Sequence, residues 1–138
     1  MRTPNTMTAP IILISVLALG ASAAHAKPKS APVAVTEVGK PISCVNTRQI
    51  KSTKVIDSKT IDFKMRNGNV LRNTMRNSCP NLKFEESFSY RLSTPRLCHV
   101  DIIRVLESGH GAGISQGAAC GLGKFQKVVP AADAPQAD

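Results

Sequence analysis

The chain is poor in the residues that most chemistry requires. Among 138 residues there are three histidines, four cysteines, one tyrosine, four phenylalanines and no tryptophan. So few aromatics leave no platform on which nucleic-acid bases could stack, and no nucleic-acid partner is expected. No two cysteines have the C-x-x-C spacing of a zinc ribbon, and His99, beside Cys98, has no partner at ligand spacing. No metal or other cofactor is therefore expected. A hydrolytic triad needs Ser or Cys, His and an acid converging in space, and beyond the amino-terminal segment only His99 and His110 could serve. His99 and Asp101 would share one face of a strand, an arrangement that chance supplies often, whereas Glu85 and Glu86 are consecutive and would point apart. With an even cysteine count no thiol is left over as a nucleophile. The expectation is a protein that is not an enzyme.

Long apolar runs are also missing. The run from Ile11 to Leu19 falls short of the about 20 residues that cross a bilayer. It follows Arg2 and leads to small residues ending in Ala24-His25-Ala26, the A-x-A pattern of a signal-peptidase site. Residues 1–26 are thus expected to be a signal peptide. No cysteine stands where a lipid anchor would attach, so the chain should be a soluble periplasmic or secreted bacterial protein rather than a transmembrane one. Residues 27–41, rich in Pro, Ala, Lys and Val without a period, read as a flexible leader. Residues 130–138 read as a disordered tail. The folded domain is expected over residues 42–129, small enough to need help beyond its apolar core.

Cys44, Cys79, Cys98 and Cys120 provide that help. In a short exported chain an even count implies two disulfides. Three pairings are possible; Cys79 with Cys98 and Cys44 with Cys120 are preferred, since they nest one loop inside a clasp that joins the two ends of the domain.

What the sequence does contain is alternation. Ile61, Phe63 and Met65 occupy every second position, with Asp62, Lys64 and Arg66 between them, as a strand with one buried face requires. A three-residue loop, Asn67-Gly68-Asn69, would pair Met65 with Leu71, Phe63 with Asn73, and Ile61 with Met75, and would place Lys64 opposite Arg72 on the wet face. A two-residue Asn67-Gly68 turn would bury Arg72 instead. The first choice leaves Asn73 as the one polar side chain on the apolar face, where it should hydrogen-bond to backbone. Strands are also expected from Cys44 to Ile56, with a bulge, over Glu86–Leu92, and over Lys124–Val129. Cys98–Leu106, apolar at both parities, should be the most buried strand, with Asp101 accepting structural hydrogen bonds. The glycine-rich run Gly109–Gly117 lacks the Lys-Ser/Thr pair of a phosphate loop and reads as a surface loop. The expected fold is a small all-β domain of five to seven antiparallel strands, a meander or partly closed barrel.

Two runs, Cys44-Val45-x-x-Arg48-x-Ile50 and Val55-Ile56-Asp57-x-x-Thr60-Ile61-x-Phe63-x-Met65, resemble a family of small exported bacterial four-cysteine proteins of unknown function. Cys79-Pro80, Leu97-Cys98-x-Val100-Asp101 and Cys120-x-Leu122-Gly123-x-Phe125 resemble that family's later blocks. The resemblance implies export and disulfides, and no activity.

The net charge of +9 is the remaining signal. Lys64, Arg66, Arg72 and Arg76 should share the wet side of the hairpin, with Arg48, Lys51 and Lys54 close in sequence, and such a face attracts anions. The function this suggests is a non-enzymatic binding module for anionic lipid, lipopolysaccharide or glycan. The alternative is a protein-partner module, an inhibitor or assembly factor of the periplasm, that uses a sheet edge or the glycine-rich loop.

Overall fold

The computed structural model describes residues 34–109 and 113–133. The expected signal peptide, and residues 27–33 of the leader, lie outside them. Over the described residues the chain is all-β and antiparallel, with ten strands in three sheets that do not close into a barrel, against the five to seven strands expected. Strands β1 (Val35–Ile42), β10 (Phe125–Pro130), β5 (Val70–Thr74), β4 (Thr60–Met65) and β3 (Ile50–Val55) form the large sheet, in that spatial order. Strand β2 (Cys44–Asn46) pairs with β7 (Arg96–Cys98), and β8 (Ile102–Gly109) lies between β6 (Phe88–Tyr90) and β9 (Gly113–Gly121). A single helical turn, α1 (Leu82–Glu85), is bounded by left-handed residues at Asn81 and Glu86.

Several expectations change. Residues 35–41 are not leader but the greater part of β1, whose Val35 lies opposite Pro130 at the start of the expected tail. Pro130 is tolerated there because it ends its strand, and Ala131–Asp133 follow as a 3-10 turn. The central hairpin turns one residue earlier than expected, over Arg66-Asn67-Gly68, so Phe63 faces Leu71 and Ile61 faces Asn73. The last residue of such a loop must be left-handed, and Gly68 (φ 87°) adopts that conformation without the strain a side chain would bring. Because each partner moves by two positions, the faces stay as expected: Ile61, Phe63, Met65 and Asn73 are all buried. The expected bulge in the first strand region lies between Ile50 and Ser52.

Cys98–Leu106 is not one strand. A turn at His99 and Val100 separates β7 from β8, and only Ile103 and Val105 of β8 are buried; Val100 and Ile102 are 73% and 57% exposed. The disulfides differ too. Cys44 lies directly opposite Cys98 in the β2–β7 ladder and is bonded to it, which leaves Cys79 bonded to Cys120. The bridges therefore interleave instead of nesting. Most of the glycine-rich run is strand, since Gly109 ends β8 and Gly113–Gly117 open β9; His110 to Ala112 lie outside the described residues.

The core fills the space between the large and small sheets. Phe63 sits at its centre, edge-on to Phe125 (5.4 Å between ring centroids) and Phe88 (6.4 Å). Leu82, Leu97, Ile103 and Val105 close around it with no exposed surface. Ring contacts of this geometry contribute about 1 kcal/mol each beyond the area they bury.

Candidate functional site: a cationic groove beside an open strand edge

The expected basic hairpin face is only partly assembled. Across the solvent side of the large sheet run Lys54, Asp62, Arg72 and Gln126, each opposite the next. Arg72 is committed within that row: its Nε and second terminal nitrogen donate to the two Asp62 carboxylate oxygens at 2.7 and 2.8 Å. The hydrogen bond to Asp62 raises the Arg72 pKa above its ordinary value; partial burial opposes the rise, and the charges of Asp62, Asp57 and Glu37 add to it. Lys64 stands in the neighbouring row, which Glu37 shares through Val70 and Val128. Arg66 lies in the turn and donates through Nε to the Arg48 carbonyl. Lys51 and Lys54 stand exposed on edge strand β3. Arg76 is not on this face.

Arg76 instead lines a groove of about 730 Å³ past the end of β5. One wall is the end of β5 at Thr74 and the segment after it, with Arg76, Asn77, Ser78 and Pro80; the other is the end of β9 and its connection to β10, residues 119–124. His99 and Val100 contribute a third side. Two fastenings hold these walls together. The Cys79–Cys120 disulfide ties them covalently. At the level of Gly123 the Asn73 side chain acts as a clamp, its Nδ2 donating to the Gly123 carbonyl at 2.6 Å and its Oδ1 accepting from the Gly123 amide at 2.9 Å. The sequence-based expectation of a backbone-bonded Asn73 thus holds. Gly123 must be glycine here, because a Cβ would overlap the Thr74 carbonyl oxygen.

The electrostatics of the groove differ from those of the sheet face. Arg76 and Lys124 both line it, and among the described lining residues there is no Asp or Glu. Neither cation has an ion-pair partner among the described residues. His99 also lines the groove; its Nδ1 is buried and has no hydrogen-bond partner among the described residues. Its neighbour Asp101 is occupied structurally, accepting from the Cys98 amide at 2.6 Å. His99 and Asp101 belong to a turn and its exit, not to one strand face as expected. Among the described residues no group of three or more His, Cys, Asp or Glu side chains could hold a metal ion, and no helix is long and apolar enough to cross a membrane.

Sequence reasoning named Arg76 but missed Lys124 as its companion. The two are 48 positions apart, and only the insertion of β10 between β1 and β5 brings them to one groove. No family model, curated protein or solved structure matches the chain.

Proposed function

We propose that the protein is a non-enzymatic binding module of the bacterial cell envelope that takes an anionic group in the groove between Arg76 and Lys124. The observation that carries this reading is the presence of two cations without an ion-pair partner among the described residues in a groove whose described lining has no Asp or Glu. A phosphate or carboxylate placed there would gain charge-assisted hydrogen bonds without displacing an internal partner. Arg72, by contrast, would first have to give up Asp62. Lys51, Lys54 and Lys64 have a lesser part, drawing anions toward the molecule over roughly 8 Å at physiological salt.

Fractionation of the host's envelope at low and high salt tests the reading. The expected result is an envelope-bound protein that salt releases, that Arg76→Glu with Lys124→Glu releases without salt, and that Lys54→Glu with Lys64→Glu leaves bound. Recovery of the unaltered protein wholly in the soluble fraction at low salt would overturn it.

A further inference from the structure

The groove has a second property that its cations do not explain. Ala119, Cys120 and Gly121 are consecutive in β9, and all three line it. Successive strand residues face opposite sides of a sheet, so a contiguous run at the end of β9 lines the groove along the strand's edge and around its end. That edge is open, since β9 pairs with β8 alone among the described strands. The groove wall is therefore a row of main-chain donors and acceptors as well as a cationic surface.

This edge also differs from the others in the molecule. Long open edges are normally guarded by charge, proline or bulges. Edge strand β1 has Glu37, Lys40 and Pro41, with a break in register after Val38. Edge strand β3 has Lys51 and Lys54, with its bulge at Lys51 between Ile50 and Ser52. The edges at β2, β6 and β7 are three residues long. Over nine residues β9 has no charge and no proline, and Ile114 near its start is 76% exposed. Its register shift, opposite Arg104 to Leu106, leaves the stretch from Ala119 to Gly121 regularly paired with β8.

Resting on the binding reading above, we infer that the anionic ligand is an extended acidic segment of another protein, which adds a strand to the edge of β9 and places carboxylates at Arg76 and Lys124. Main-chain pairing supplies the affinity of such a mode, and side-chain positions supply its selectivity. Charge selects the occupant: a second copy of a chain with net charge +9 would bring like charge to a cationic groove, whereas an acidic strand complements it.

The test uses the protein isolated from its host and three probes: a ten-residue peptide of alternating Val and Glu, the same peptide N-methylated at every second amide, and inorganic phosphate. Titration is followed by the anisotropy of a dye on the peptide, with phosphate as competitor. The unmodified peptide should bind, and N-methylation should weaken it roughly tenfold or more, since main-chain hydrogen bonds to the edge are lost. Arg76→Glu with Lys124→Glu should abolish binding of the unmodified peptide. Equal binding of both peptides, with competition by phosphate, would overturn strand addition and leave the anion site standing. Failure of the peptides, with phosphate protecting the groove amides from hydrogen exchange, would do the same. No response to any of the three probes would overturn both readings. A dimer that forms with concentration and excludes the peptide would assign the edge to a second copy and overturn this inference.

Discussion

The solvent face of the large sheet and the groove past the end of β5 both draw on β5, and both contain arginine, yet they use it in opposite ways. On the sheet face Arg72 is joined to Asp62 by two short hydrogen bonds, with Glu37 near enough to add to the same stabilisation. In the groove, four positions further along, Arg76 shares the lining with Lys124, and among the described lining residues there is no acid. A raw count of cations would rank the sheet face first. Whether a cation's partner is internal decides instead, because a side chain already hydrogen-bonded to a carboxylate has little left to offer a ligand.

The contrast can be broken most forcefully at the covalent fastening. Replacing Cys79 and Cys120 together by Ser removes a bridge spanning 41 residues and should lower stability by roughly 4 kcal/mol on the chain-entropy account, read by urea denaturation. The groove should lose its shape with it, while the Arg72–Asp62 pair on the sheet face persists in the fraction that remains folded. A smaller effect is expected at the clamp. Asn73→Ala leaves the Gly123 amide and carbonyl without their partner and should cost about 2 kcal/mol, with faster hydrogen exchange at Gly123 as the local sign. Full protection at Gly123 in that variant would show that the walls do not depend on Asn73.

The smallest effect belongs to the sheet face itself. Arg72→Met should cost about 1 kcal/mol, because the pair is only partly withdrawn from water. Its dependence on pH has a defined sign. The folded-state pKa of Arg72 is raised, so its contribution is complete at every pH below the unfolded value and is lost only as pH rises through the folded one, in strong alkali. From pH 7 to 10 the stability difference between Arg72→Met and the unaltered protein should therefore stay constant; a difference that shrinks across that range would contradict the assignment.

How legible these two regions were from sequence follows from how local their determinants are. The alternation of Ile61, Phe63 and Met65 is written in adjacent residues, and it gave the buried face, the burial of Asn73 and its backbone bonding, even though the turn begins one residue earlier than expected. Fold class and the presence of two disulfides were equally accessible. The groove was not, because it depends on β10 crossing to lie between β1 and β5, a pairing over more than 50 residues that no local pattern announces. Strand β1 was hidden for a related reason. As an edge strand it buries little, so its Pro41, Lys40 and Gly39 resemble a linker in composition although the strand is fully paired with β10 over Val35–Val38. The disulfide pairing failed with the strand order, since Cys44 meets Cys98 only through the β2–β7 ladder.

The interleaved bridges have a consequence for proteolysis. Cys44–Cys98 and Cys79–Cys120 overlap between residues 79 and 98, so together they span the chain from Cys44 to Cys120 without a gap. A protease that nicks the backbone once anywhere in that span leaves both fragments attached to one another, with the core free to stay closed. Strands β1 and β10 lie outside the span; edge strand β1 pairs with β10 alone, whereas β10 also pairs with β5 and buries Phe125 in the core. Digestion without reductant should accordingly trim edge strand β1 first, while a single cut between Cys44 and Cys120 becomes visible on a gel only after the bridges are reduced.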